Sequence, residues 1–413
     1  MKSLDFGRYA LSTCAAGAML AGCSQSQPPI GVPGATPQRA GRVNSADTQA
    51  RAAQSVAGPN AVVEFAYVTY ANSHHVSAYR IDATSGALTE VKGSPFGAGT
   101  SPGDVTIDPT GKFAYVTNSD SNNVSAYRIN ATSGALAQVK GSPFGAGIGP
   151  LGVAVDPTGK FIYVTNLGYG SSFLGNVFAY RIDATSGALK QVKESPFGAG
   201  ASPYNVVVDP TDKFAYVINV SSNNVSAFAI NARSGALTQV TGSPFGAGNY
   251  TDGMAVAPNG KFVYVSNMDS NNVSAYTIDA SSGALTQVKG SPFGAGTYPW
   301  DVAVDPTGKF AYVANDGSDN VSAYAINATS GALTQVNGSP FEASSDPLGV
   351  AVDPTGKFAY VTNNSSNNVS AYTIDATSGA LTQVKGSPFE VGTWPYGIAT
   401  CRVKAGKCIP PPL

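Results

Sequence analysis

Charge is scarce in this chain. Only 12% of its 413 residues are charged, against roughly 25% in ordinary soluble domains. The 24 Lys and Arg nearly cancel the 25 Asp and Glu, leaving a net charge of −1. No basic field exists to attract a phosphate backbone, so nucleic acid is excluded as a partner. Histidine is rarer still, with His74 and His75 the two examples beside four cysteines. That is too few for most zinc or haem sites, and no metal or cofactor is expected. Neither a GxSxG elbow nor an HExxH pair occurs. Long apolar runs are missing too, the stretch Ala10 to Leu20 being too short for a permanent membrane span. With 47 glycines and 27 prolines the chain is interrupted too often for helical bundles or coiled coils.

What is present begins with an address. Lys2 and Arg8 precede the apolar stretch, as in a secretory signal. It ends in Leu20-Ala21-Gly22-Cys23, which resembles the bacterial lipoprotein cleavage box. Residues 1–22 are therefore expected to be removed, with Cys23 lipidated and the membrane reached through its acyl chains. By the bacterial sorting rule, Ser24 after the cysteine favours the outer membrane. Residues 23–60 are rich in Ser, Gln, Pro, Ala and Gly without apolar period and read as a flexible tether. At the other end, residues 401–413 form a tail in which Cys401 and Cys408 are expected to pair as a disulfide in an exported protein.

Between them lies a repeat. Tyr-Val recurs at Tyr67, Tyr115, Tyr163, Tyr216, Tyr264, Tyr312 and Tyr360, with spacings of 48, 48, 53, 48, 48 and 48 residues. Such a period suits a four-stranded propeller blade. In one copy, Gly152 to Val155, Phe161 to Thr165, Asn176 to Ile182 and Leu189 to Lys193 read as strands. Asp156-Pro-Thr-Gly159 and Asp183-Ala-Thr-Ser-Gly187 read as the turns between them. The chain enters on a second strand, Val63 to Thr69, and leaves on a first strand, Tyr396 to Thr400. The reading is an all-β, seven-bladed β-propeller of four-stranded blades over residues 61–400, closed by pairing of the C-terminal strand with the N-terminal blade. The recurrent Asn-Val-Ser, as at Asn123, Asn272 and Asn368, matches a glycosylation sequon but fits better as the start of each third strand.

Tyr115-Val-Thr-Asn118, Tyr163-Val-Thr-Asn166 and Tyr360-Val-Thr-Asn363, each after a DPTGK-like turn, resemble the YVTN-repeat, lactonase-like seven-bladed propeller family. The resemblance implies the propeller fold. It also implies a lactone hydrolase such as a 6-phosphogluconolactonase in some members, and no known chemistry in others.

Blade copies differ chiefly on one face, where loops enter the first strands and join second to third. The entry residues read Gly103, Leu151, Tyr204, Asp252, Trp300, Leu348 and Tyr396, followed by Asp104, Gly152, Asn205, Gly253, Asp301, Gly349 and Gly397. The five-residue insert of the third copy, with Tyr169 and Phe173, falls on the same face. Its loops carry acids, among them Asp120, Asp269, Asp316, Asp319, Asp346, Glu342 and Glu390, and no Lys or Arg. Aromatics join them at Tyr250, Tyr298 and Trp394. Candidate ligand-binding residues are Asp104, Tyr204, Asn205, Asp252, Trp300, Asp301 and Tyr396, on a rim suited to stacking sugars, binding cations or contacting a peptide. His74 or His75 is a candidate general base, although exposed loop histidines are the plainer reading. The resulting expectation is an envelope lipoprotein whose propeller is a scaffold for a small molecule, glycan or protein. The alternative is a lactone hydrolase, with phosphosugar substrates disfavoured by the missing cations.

Overall fold

A computed structural model describes residues 62–168, 174–404 and 407–408. Cys23, the signal, the tether, Tyr169 and Phe173 lie outside the described residues, as does the side chain of Cys408 and hence its pairing with Cys401.

Seven antiparallel sheets follow one another as blades. In blade 2, Pro102–Ile107, Phe113–Asn118, Asn123–Ile129 and Leu136–Gln138 run in order from the axis outwards. The second strand, FAYVTN, is buried at every position, because neighbouring blades cover both faces of a sheet stacked about an axis. One element goes beyond the four-strand expectation. After each fourth strand the chain turns through a cis Ser-Pro bond, as at Ser142-Pro143. It then adds a short strand, two residues long except in blade 3, where it runs Phe197–Ala201; in blade 2 its Phe144 and Gly145 pair with Val124 and Asn123. The fourth strand occupies the other half of the same edge, pairing Leu136 with Ile129.

The repeated motifs each hold a specific join. In the DPTGK turn, Asp108 Oδ1 accepts the backbone N–H groups of Lys112 at 2.8 Å and Phe113 at 2.7 Å. In the DATSG turn, Asp82 Oδ1 accepts those of Thr84 and Ser85 at 3.0 and 2.8 Å. The asparagine of YVTN links second strand, third strand and entry loop. Asn118 Nδ2 donates to Asn123 Oδ1 at 2.8 Å and to Ser125 Oγ at 3.0 Å, while its Oδ1 accepts from Gly99 N at 3.0 Å. Asn-Val-Ser is thus an internal polar lock within the blade.

Blade joins blade through the YVTN tyrosine. Its hydroxyl crosses to a glycine carbonyl in the DATSG-type turn of the next blade, from Tyr67 to Gly134 at 3.1 Å and from Tyr163 to Gly235 at 3.2 Å. The series ends where it began, with Tyr360 of blade 7 donating to Gly86 of blade 1 at 2.9 Å. Those glycines have left-handed backbone and rest on a phenylalanine of the preceding blade.

Closure is as the sequence implies. Pro395–Lys404 pairs with Val62–Tyr70 in register from Val62 opposite Lys404 to Val68 opposite Ile398, and completes blade 1. An ion pair crosses this seam, Arg402 Nε to Glu64 Oε1 at 3.1 Å. Burial pushes the Glu64 carboxyl up, the nearby Asp353 adding to it and Arg402 opposing it.

At Gly86, φ is +76° and an added Cβ would stand 2.4 Å from the Phe358 ring. Gly86→Ala is expected to destabilise the fold by about 2–4 kcal/mol, combining left-handed strain with overpacking. Gly97→Ala, whose Cβ meets nothing within 4 Å, is the control, expected within about 1 kcal/mol. Denaturant midpoints of both variants measure the difference.

Candidate functional site

Entry loops and second-to-third loops share one end of the propeller, as Ser119 N bonded to Ser101 O at 2.9 Å and Met268 N bonded to Tyr250 O at 2.8 Å illustrate. At the axis their residues form two stacked rings. The outer ring holds the entry residues. Tyr204, Trp300 and Tyr396 meet across the mouth, with Trp300 edge-on to Tyr204 at 6.5 Å and to Tyr396 at 6.4 Å between ring centroids. The hydroxyls of Tyr204 and Tyr396 bond to each other directly.

In the inner ring, polar side chains alternate with glycine: Asp104, Gly152, Asn205, Gly253 and Asp301, then Gly349 and Gly397. Glycine is required because the next blade's backbone comes too close. A Cβ on Gly253 would lie 2.5 Å from Asp301 Cα, and one on Gly152 would lie 2.8 Å from Asn205 Cα. The acidic arms reach over these glycines. Asp104 accepts from Val105 N at 2.7 Å and from Val153 N of the next blade at 3.3 Å. Asp301 repeats this with Val302 N at 2.8 Å and Val350 N at 3.1 Å.

A cavity of about 50 Å³ lies at the mouth, lined by all seven candidate ligand-binding residues. Asp104, Asn205 and Asp301 also line a wider axial space of about 380 Å³, otherwise walled largely by the valines of first strands. His74 and His75 are exposed on the outer loop of blade 1 and line neither cavity. Among the described residues no Lys or Arg lines them either. Arg128 and Arg181 are engaged elsewhere. Each stacks on a phenylalanine and donates to a carbonyl of the next blade's turn, Thr185 O and Arg233 O respectively, at 2.6 Å.

The mouth is electrostatically uncomfortable. Burial pushes Asp104 up to about 7, its two backbone bonds opposing the shift and the Asp301 charge adding to it. Burial likewise pushes Asp301 up to about 6, against two backbone bonds. Asp252 is raised well above the usual carboxylate range, first by burial and then by Asp301, Asp316 and Asp269. It is 1% exposed, and both its oxygens are buried without a hydrogen-bond partner. Asp316, in the second-to-third loop of blade 6, is pushed up to about 7 by burial, then by Asp346 and Asp319. The two tyrosine hydroxyls are also shifted upward by burial.

Sequence reasoning did not identify what holds this mouth in place. The YVTN threonine hydroxyl donates to the carbonyl of the next blade's entry residue, Thr117 to Leu151 at 2.6 Å and Thr362 to Tyr396 at 2.7 Å. It also accepts the N–H of its own blade's inner-ring residue, Asp104 to Thr117 at 3.0 Å and Gly349 to Thr362 at 2.9 Å. Ile218 and Ala314 stand at this position in blades 4 and 6. The signal was present as two hydrophobic substitutions in an otherwise hydroxyl-bearing column.

The sequence profile of the family described as lactonase, seven-bladed β-propeller matches residues 45–147, 152–345 and 341–394. A comparison with curated protein sequences finds no match. Among solved structures, a candidate 6-phosphogluconolactonase of Bacteroides fragilis is 20% identical with a TM-score of 0.71, over 83% of this chain and 99% of that one. The periplasmic gluconolactonase of Pseudomonas aeruginosa is 18% identical with a TM-score of 0.69, over 82% of this chain and 99% of its own. At these identities the structural likeness is one of fold.

The mouth carboxyls set a pH dependence. Their folded pKa values exceed the ordinary carboxylate value, so between about pH 4 and pH 7 the unfolded chain has lost protons that the native state keeps. Their contribution to stability is full at the acid end of this window and is lost as pH rises through it. Asp252→Asn removes a buried, unpartnered ionisable group at similar volume. It is expected to raise Tm at about pH 8 by about 2–4 °C and by less at about pH 5, read by calorimetry.

Proposed function

The chain belongs to the lactonase, seven-bladed β-propeller family, and on that premise we propose that it hydrolyses a lactone without a phosphate group at the axial mouth. The observation that carries the reading is that Asp104 and Asp301, carboxyls pushed up to about 7 and 6, line the same cavity as Tyr204 and Tyr396, whose hydroxyls bond to each other. A base titrating near neutrality matches the proton transfer that lactone opening needs. One of these carboxylates takes a proton from water as the water oxygen bonds to the carbonyl carbon. The tyrosine hydroxyls donate to the developing oxyanion. The tetrahedral intermediate then breaks its ring C–O bond, and the acid returns the proton to the departing alkoxide, giving a hydroxy acid.

Substrate charge follows from the lining. With no Lys or Arg lining it among the described residues, the mouth offers a phosphate no counter-charge, and its carboxylates repel it. The product, itself a carboxylate, is repelled too, which favours release. Because the cavity is only about 50 Å³, a sugar lactone enters after the Tyr204–Tyr396 pair parts. Cys23 and the preceding apolar stretch support an exported, lipid-anchored protein at the envelope, probed by radiolabelled acyl incorporation. The relative named periplasmic in Pseudomonas is consistent with work outside the cytoplasm.

A second reading, a binding scaffold for a glycan or protein, is favoured by Tyr298 and Trp394. They are 42% and 43% exposed on the same rim and are held in left-handed backbone at φ +52° and +61°, where bulky residues are rare.

A lactone panel separates the two. Turnover of gluconolactone is expected, with 6-phosphogluconolactone at least about tenfold poorer in kcat/KM. Asp104→Asn and Asp301→Asn together are expected to lower kcat by about 100-fold or more, and activity should rise with pH between about 5 and 8 as the carboxyls ionise. Absence of turnover on every lactone selects the scaffold.

A further inference from the structure

Three carboxylates line the mouth, and two are internally satisfied. Asp104 and Asp301 each accept two backbone N–H groups. Asp252 accepts none, although it is 1% exposed and both its oxygens are buried. The residue before it behaves alike, Thr251 Oγ1 being buried without a partner. A carboxylate in that state is costly unless it is protonated or meets a cation. Among the described residues no Lys, Arg or His lines the cavity to serve as one. Three aromatic rings do line it, Tyr204, Trp300 and Tyr396. Aromatic walls beside a buried carboxylate are surroundings that favour an organic cation, through ring quadrupole and ion pairing together. A metal ion is the poorer fit. Among the described residues no three acidic or histidine groups stand close enough together to hold one, and hard divalent ions want six or more oxygens.

We propose that the axial mouth is a binding site for a primary ammonium group, with Asp252 as its counter-ion and Tyr204, Trp300 and Tyr396 as its walls. The cavity of about 50 Å³ admits a small ammonium head with little beyond it. The ligand is therefore an amine presented end-on along the propeller axis. The inference concerns the same mouth as the hydrolytic reading but stands without hydrolysis, because it is read as equilibrium binding.

Titration calorimetry on the full chain tests it, using ethylammonium chloride as probe and ethanol, sodium chloride and calcium chloride as comparators. Saturable one-to-one binding of ethylammonium is expected, with no heat of binding from ethanol. Asp252→Asn should weaken binding at least about tenfold, and Trp300→Leu about threefold to tenfold. Circular dichroism melting of each variant at the same pH confirms that the site is measured on folded protein. Binding of ethylammonium with equal affinity to Asp252→Asn overturns the assignment, as does saturable calcium binding in its place or no ethylammonium binding at all. Lactone turnover measured on the same preparations fails or succeeds separately, so loss of one reading leaves the other visible.

Discussion

The hydrogen bond from each YVTN tyrosine to the next blade's glycine carbonyl is the join on which the ring rests. It recurs at all seven boundaries, including the one between the last blade and the first. Each hydroxyl is buried, so leaving it unpaired costs more than the bond itself contributes. The acceptor lies in a turn whose glycine adopts left-handed backbone and packs flat on a phenylalanine of the neighbour. Blade spacing is thereby fixed at the radius where the second strands sit, and the first strands inside must fit whatever axial space remains. This explains why variation is concentrated at the mouth. Residues that set the spacing repeat almost unchanged, and residues that do not touch it are free to differ.

Much of this was legible in the sequence because repetition amplifies weak local signals. A single Asp-Pro-Thr-Gly is only a turn, but its copies at Asp108, Asp156, Asp305 and Asp353 establish a period and, with it, the architecture. The seven candidate binding residues converge on one cavity because they occupy equivalent positions around the ring. Other features needed coordinates. The Phe-Gly strand was hidden because two residues after a Ser-Pro carry no strand period, and its partner lies some twenty residues earlier. The threonine of YVTN reads as an ordinary β-branched strand residue, and its double role at the mouth depends on the neighbouring blade. The state of Asp252 could not be foreseen, since a loop aspartate is usually solvated. The histidines fail as mouth residues for a simple geometric reason. His75 begins the third strand and His74 just precedes it, and that strand lies two strands away from the axis.

The chemistry of the mouth follows from what was excluded from it. Family relatives share the frame, while the side chains at the axis decide what enters. Here Arg128 and Arg181 are occupied with turns and phenylalanines at the blade edges. The axis is left with carboxyls, tyrosine hydroxyls and an indole. Low charge overall allows this concentration of like charges, since no competing field surrounds it. Burial then brings their protonation equilibria towards the neutral range, where small changes of surroundings alter charge.

The inner ring carries one more consequence. Alternation of long and short members cannot be completed in a circle of odd order, so two like ones must fall side by side, and here they are the short pair Gly349 and Gly397. This parity defect lies beside the seam where the chain's two ends meet. A molecule descending the axis therefore meets a collar with a single notch rather than an even palisade. The notch gives a nominally rotational structure one preferred compass bearing, which is what an asymmetric guest needs in order to settle in a single pose.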